Sequence, residues 1–259
     1  MNRVLATNFL NENDLVSRIK HDLKYLGYVI VSDLFYSDDD IALLKDKLIN
    51  MCNSIGNVTS HNHKDTPVWD IKARDTNSLH VTFSEHADEA ELHTDSQYSR
   101  IPEDHFALYC VRKSECQGGQ SFFLSTRDII TELNETEKGA EVLKFLEFNK
   151  YPYLVPDVFK ENPLGPPEFT FGYLLKDGKM RFRIDALERA LKIEPNLCTK
   201  VQVEAFNYLK GIVLNSKKIQ YTYLENKECL FINNKTMLHG RTKFTDNQRH
   251  LLRVRFNDL

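Results

Sequence analysis

Apolar residues in the first part of the chain recur at helical spacing. Leu15, Ile19, Leu23 and Leu26 fall at i, i+4, i+8 and i+11, which predicts a helix from about Glu12 to Leu26, ended by Gly27. Tyr28-Val29-Ile30-Val31 is short and β-branched, and predicts a strand. Ser37 then reads as a helix cap, with Asp38, Asp39 and Asp40 in the first turn, where the helix dipole favours carboxylates. Ile41, Leu44, Leu48 and Met51 give that helix one apolar face. Both helices are expected to pack against a sheet.

Beyond Met51 the pattern turns to short strands separated by turn residues. Asn53 to Asp75 is polar and reads as a loop holding Trp69, with His61 and His63 as solvated histidines. His80-Val81-Thr82-Phe83 alternates and leads into a polar stretch, Ser84 to Glu91. Strands are expected over Phe106 to Val111, Ser121 to Leu124, Ile219 to Tyr223, Glu228 to Ile232 and Arg249 to Phe256. Lys176-Asp177-Gly178-Lys179 between apolar runs predicts a hairpin joining Phe169–Leu175 to Met180–Ile184. Helical spacing returns over Thr126–Leu133, Glu137–Phe148 and Thr199–Leu214. Tyr151 to Glu168 carries five of the eight prolines and reads as a binding loop or lid, or else a static linker. Many short strands, with helices at the start and in insertions, predict a mainly β chain with helices (α+β), a two-sheet jelly roll decorated by helices. One domain over residues 1–259 is expected: an N-terminal part, 1–78, packing on a jelly-roll core, 79–259, with the Pro-rich loop at 151–168.

Composition narrows the function classes. A hydrophobic fraction of 41% and a charged fraction of 27% are those of an ordinary globular protein. The formal net charge of -3, with no basic block, speaks against nucleic acid or an anionic membrane as partner. Five scattered cysteines form no disulfide framework, and Met1 to Leu15 has no signal-peptide core, so a cytoplasmic protein is expected. No apolar run approaches membrane-spanning length. Oligomeric state is not legible.

The candidate chemistry centres on Leu92-His93-Thr94-Asp95-Ser96. On an extended strand, His93 and Asp95 point to one face. A third ligand is available in Leu238-His239-Gly240-Arg241. Two histidines and one carboxylate with open positions form the ligand set of non-haem Fe(II) oxygenases, so His93, Asp95 and His239 are the candidate metal ligands and catalytic residues. A His-x-Asp pair alone is a weak pattern, more often a solvated turn or a hydrogen-bonded pair. Near the C-terminus Arg249, Leu251, Arg253 and Arg255 share one strand face. Inward-facing guanidinium groups would need anionic partners, such as a dicarboxylate cosubstrate. A solvated edge with surface ion pairs is the other reading of that spacing.

Taken together, Leu92-His93-Thr94-Asp95, Gly118-Gly119-Gln120-Ser121 and Leu238-His239-Gly240-Arg241-Thr242-Lys243-Phe244, ending in Arg249-His250-Leu251-Leu252-Arg253, resemble the Fe(II)/2-oxoglutarate-dependent oxygenases. The similarity is to the branch of taurine dioxygenase and clavaminate synthase, from about residue 79 to the C-terminus. It implies a double-stranded β-helix, and Fe(II), 2-oxoglutarate and O2 as cofactor and cosubstrates. It implies Ser121 and Arg249 as 2-oxoglutarate contacts and Arg253 as the arginine for the acidic group of the primary substrate. The other end of the substrate would be read by Gln97 or by the polar loop ending at Glu91.

The expected activity is hydroxylation of an unactivated C–H bond in a small polar substrate, a free amino acid or a derivative of one. The same iron chemistry would also serve desaturation, epoxidation, ring closure, or a sulfonate or other small acid. A non-catalytic jelly-roll binding protein and a zinc hydrolase with the same ligands are the competing classes.

Overall fold

A computed structural model of the chain describes residues 1–35, 40–60, 66–72, 86–160 and 162–259. Two sheets lie face to face. The larger runs in the order β1 (Arg3–Leu5), β2 (Tyr28–Ser32), β13 (Cys229–Asn233), β6 (His105–Arg112), β15 (His250–Asn257) and β3 (Asn57–Val58), and β4 (Val68–Lys72) also pairs with β15. The smaller runs β12 (Gln220–Thr222), β7 (Ser121–Ser125), β14 (Met237–Arg241) and β5 (Ala90–His93). This is the expected double-stranded β-helix, with helices outside.

Period-2 alternation sorts the side chains into layers. On β13, Leu230 and Ile232 point between the sheets, while Cys229 and Phe231 point outward. Ile30, Phe106, Phe123, Met237 and Leu251 join the layer between the sheets, and Tyr28 stacks on Phe123 at 5.3 Å. Outside the larger sheet, α1 (Glu12–Tyr25) and α2 (Ile41–Ile55) bury Leu15, Ile19, Leu44 and Leu48 against Val29, Phe231 and Val254. Outside the smaller sheet, α3 (Thr126–Leu133), α4 (Glu137–Phe148), α5 (Ile184–Ile193) and α6 (Lys200–Asn215) cover Leu92, Phe122, Leu124 and Leu238. Each such Leu, Ile or Phe, fully buried, contributes roughly 1.5–3 kcal/mol.

Several sequence expectations shift. The cap of α2 is Asp40, whose side chain accepts from the Leu43 N–H at 2.8 Å; Ser37 lies outside the described residues. The polar stretch from Asn53 holds β3 and β4, because β15 offers both of its edges to be paired. The proline-rich segment begins as strand β8 (Lys150–Leu154), which pairs with β9 (Phe169–Tyr173), so its irregular part spans only 155–168. The hairpin exists but is short: β10 (Leu175–Lys176) meets β11 (Lys179–Met180) through Asp177 and Gly178, both at positive φ. Ile184 opens α5 rather than ending a strand, and the buried face of that helix, Ile184, Leu187 and Ala190, is not among the sequence expectations. Neither are β14, which carries His239, and β1. The expected strand at His80–Phe83, the histidines at 61 and 63, and the start of the polar stretch at Ser84 lie outside the described residues. No helix among the described residues is long and apolar enough to cross a membrane.

Candidate active site

Two neighbouring strands bring the histidines together. β5 ends at His93 and β14 carries His239, and the two are Cα partners in the antiparallel register. Because Leu238 points into the helix-covered layer, Met237, His239 and Arg241 point inward. Gly240 between them is required by close approach: a Cβ there would collide with the Phe122 ring and the Ala90 carbonyl. Asp95 sits on the turn after β5. Its N–H donates to Asn234 Oδ1 at 2.7 Å, and Asn234 Nδ2 donates to the carbonyls of Asp95 at 3.1 Å and Glu103 at 2.9 Å. Thr94 is tied on the other side, its N–H donating to the Phe182 carbonyl at 2.8 Å.

His93, Asp95 and His239 present one ligand atom each, all within 4.8 Å of one another. Asp95 Oδ1 lies 3.6 Å from His93 Nε2 and 3.8 Å from His239 Nε2. His93 Nδ1 donates to the Glu91 carbonyl at 2.7 Å, which turns Nε2 toward the carboxylate. His239 packs on Phe106 at 4.6 Å, and its Nδ1 has no partner among the described residues. Burial, and then His93 beside it, pull the His239 imidazole down to about 4, so it is neutral at physiological pH. Burial alone would raise the Asp95 carboxyl, but Arg253 and Arg255 more than offset that and hold it well below the usual carboxylate range. Two imidazole nitrogens and one ionised oxygen converging on one point suit a divalent transition metal.

These groups open onto a cavity of about 590 Å³ that Ser121, Arg241 and Arg249 also line. Ser121 opposes Arg241 across β7 and β14. Arg241 is occupied, donating from Nη2 to the carbonyls of His86 and Asp88, both at 2.6 Å. Arg249 differs. It is 5% exposed, lies over the Phe244 ring at 5.1 Å, and pairs with no carboxylate among the described residues. Burial pulls its guanidinium down to about 10. A buried cation without a counter-ion is costly, and the partner it calls for is an anion. A carboxylate would meet that need through a planar, two-bond contact.

The remaining candidates separate. Arg253 and Arg255 lie on the inner face of β15, both on Asp95 Oδ2, at 3.0 Å and 3.1 Å. Asp95 itself is therefore a partner of Arg253. Gln97 lines the cavity, buried, its carbonyl accepting from Arg181 Nε at 2.5 Å. Glu91 is exposed on β5, and it is its backbone carbonyl, not its carboxylate, that touches the site. The proline-rich segment forms one wall through Pro156, Val158 and Phe159, with Phe159 stacked on Tyr98 at 4.5 Å. Buried Lys160 pins that segment through Asp157 at 2.7 Å and the Gly165 carbonyl at 3.0 Å. Sequence reasoning missed Arg183 and Asp185, paired at 2.7 Å, which the N-cap and first turn of α5 add to the lining. Their only signal was an alternation of charged and apolar residues, which the hairpin reading absorbed. It also missed Asn234, visible beforehand only as a turn residue.

The family model for the taurine catabolism dioxygenase TauD, TfdA family matches residues 5–255. No curated protein sequence matches. Among solved structures, an asparagine oxygenase in complex with Fe(II), 2S,3S-3-hydroxyasparagine and succinate superposes with a TM-score of 0.72 at 16% identity, covering 95% of this chain and 78% of that one. The non-haem iron oxygenase OrfP, as a D157A mutant with (3S)-hydroxy-L-Arg, gives 0.65 at 15% identity over 95% and 79%. A taurine dioxygenase from Burkholderia xenovorans gives 0.60 at 17% over 94% and 81%. Identities this low speak to the fold.

Proposed function

Since the chain belongs to the taurine catabolism dioxygenase TauD, TfdA family, and is thereby a 2-oxoglutarate-dependent non-haem iron oxygenase, we propose that residues 1–259 form one oxygenase domain that hydroxylates a free amino acid or a close derivative. In this reading His93, Asp95 and His239 hold the iron, and Ser121 and Arg249 hold 2-oxoglutarate. The observation that carries it is the pairing of an inward His–Asp–His cluster with a buried Arg249 that has no carboxylate partner among the described residues, on the same cavity. The site thus has a receptor for a metal and a separate receptor for a carboxylate.

When bound, iron and 2-oxoglutarate supply the oxidising power: one atom of O2 goes to the substrate C–H bond and the other to succinate as carbon dioxide leaves. The chain's own residues position and exclude. Arg249 fixes the distal carboxylate of 2-oxoglutarate, with the Ser121 hydroxyl beside it. Arg253 spends one nitrogen on Asp95 and keeps further donors for an acidic group of the primary substrate. Gln97 offers an amide to its polar end. Tyr98, Phe159 and Val158 form a wall that limits water and restricts which C–H bond is presented.

The amino-acid substrate class is supported by the company the fold keeps, which includes oxygenases bound to hydroxyasparagine and hydroxyarginine. A small-molecule substrate is also what a cavity of about 590 Å³ accommodates. We place the enzyme in the cytoplasm, a reading supported by five free cysteines. The test is a screen of amino acids for succinate release and oxygen uptake, each requiring both Fe(II) and 2-oxoglutarate. Succinate formation stimulated by one amino acid, with a product heavier by one oxygen, is the expected result. Stimulation only by sulfonates, or none by any small acid, would overturn the substrate class.

A further inference from the structure

The two oxygens of Asp95 live in different surroundings. Oδ1 faces both imidazoles, at 3.6 Å and 3.8 Å. Oδ2 is gripped by Arg253 Nη1 at 3.0 Å and Arg255 Nη2 at 3.1 Å. The backbone on which this carboxylate stands is held too, because Asn234 takes both the N–H and the carbonyl of Asp95. Resting on the reading that His93, Asp95 and His239 hold the metal, we propose that Arg255 is a positioning residue that keeps Asp95 a one-oxygen ligand.

A carboxylate left to itself chelates a divalent cation with one oxygen or with both. Here a two-oxygen grip would mean turning the group and breaking two charge-assisted hydrogen bonds, each stronger than a neutral one. The grip matters because two histidines and a two-oxygen carboxylate would use a coordination position that the cosubstrates need. Of the two arginines, Arg255 is the dedicated one. Its other nitrogen points to Glu103, with Nη1 3.9 Å from Oε1, so its charge is committed to Asp95 and Glu103. Its side chain is 11% exposed, so both contacts are held away from solvent. Arg253 is the arginine left for the substrate. β15 and the residue before it therefore divide three arginines among separate tasks: Arg249 for 2-oxoglutarate, Arg253 for the substrate, and Arg255 for the metal ligand.

The consequence runs against intuition for a mutation at a metal site. Removing Arg255 takes away a positive charge near the metal and leaves Oδ2 held by Arg253 alone, so that turning the carboxylate to a two-oxygen grip breaks one charge-assisted hydrogen bond instead of two. Metal binding should tighten while 2-oxoglutarate binding weakens. A residue of merely structural importance would loosen both.

The test uses Co(II) as the probe, without oxygen, in the wild type, Arg255→Met, Arg255→Lys and His239→Ala. Calorimetry reads Co(II) affinity, visible absorption reads coordination number, and 2-oxoglutarate is then titrated into the Co(II)-loaded proteins. In Arg255→Met we expect Co(II) about tenfold tighter, a changed Co(II) spectrum, and 2-oxoglutarate about tenfold weaker, each about 1.4 kcal/mol. Arg255→Lys, which keeps the charge and a donor, should return toward wild type. Wild-type values for all three readouts in folded Arg255→Met would overturn the proposal, and so would joint loss of Co(II) and 2-oxoglutarate binding. Should Arg255→Met fail to fold, Arg255→Gln replaces it, with the same readouts and the same results deciding for or against. If His239→Ala binds Co(II) as the wild type does, the triad itself is wrong, and the proposal falls with it.

Discussion

His93 and His239 face each other across the β5–β14 pair as register partners, their ring centroids 4.4 Å apart. Neither strand alone has a metal site. We therefore expect His93→Ala, Asp95→Ala and His239→Ala each to abolish succinate formation. Melting temperatures of the two histidine variants should stay within a few degrees of wild type, because the rings face a cavity and their loss leaves no packing void; Asp95→Ala should melt lower, because it strips buried Arg253 and Arg255 of their shared partner. Near-normal turnover in His239→Ala would sink the assignment.

Arg249 pairs with no carboxylate among the described residues, and in our reading its partner arrives with the cosubstrate. Arg249→Lys retains the charge but loses the planar fork. The concentration of 2-oxoglutarate needed for half-maximal rate should rise about tenfold or more, as expected for losing a contact of roughly 1.5–3 kcal/mol. An unchanged requirement would hand this task to another residue, with Arg253 next in line.

Arg253 is shared between Asp95 and, in our reading, the substrate. Arg253→Ala separates the two uses. The Michaelis constant for the primary substrate should rise about tenfold or more, the cost of a lost charge-assisted contact. Substrate-free 2-oxoglutarate consumption should stay close to wild type, with Arg255 still on Asp95. Equal weakening toward both ligands would make Arg253 a support for Asp95 and nothing else.

The inward row of β15 was legible in the sequence because period 2 is simple geometry: Leu251, Arg253 and Arg255 share a face in the structure as their spacing requires. The helices α1, α4 and α6 were equally legible, since each combines an apolar face with a capping residue, as in the Thr199–Gln202 capping box. What stayed hidden was whatever depends on partners distant in sequence. β14 reads as Met-Leu-His-Gly-Arg, with weak strand propensity, and is a strand because β7 and β5 pair it on both sides. The attachment of Arg253 and Arg255 to Asp95 crosses more than 150 residues of chain and both sheets. No local pattern encodes it.

Far from the cavity, Glu228 ties the edge of the larger sheet. Arg3 donates to it from Nε at 2.7 Å and Nη2 at 2.8 Å, Ser32 Oγ at 2.8 Å, and the Glu225 N–H at 2.9 Å. Burial alone would raise this carboxyl; the hydrogen bonds, that of Arg3 foremost, lower it below the usual value. A carboxyl lowered in the folded state contributes stability above its unfolded pKa of about 4.3, and loses it as pH falls through the folded value. Glu228→Gln should cost about 1–2 kcal/mol at pH 7, modest because Arg3 is partly exposed. That gap should close as pH falls below about 4. Urea unfolding at both pH values checks it, and a gap that stays constant would assign the effect to packing instead.

The position of β5 also bears on when the site comes into being. β14 is an interior strand, paired on both sides, whereas β5 is the outermost of the four described strands of its sheet and meets β14 through only His93 and Ala90 as register partners. One half of the metal cage is therefore built into a firmly paired strand and the other half hangs on a lightly paired one. Local opening costs least where pairing is thinnest. A bound ion bridging the two strands would work as a clasp, stabilising the closed form by mass action. Its signature would be slower amide exchange concentrated in residues 90–95, with little change in β7 or the outer helices.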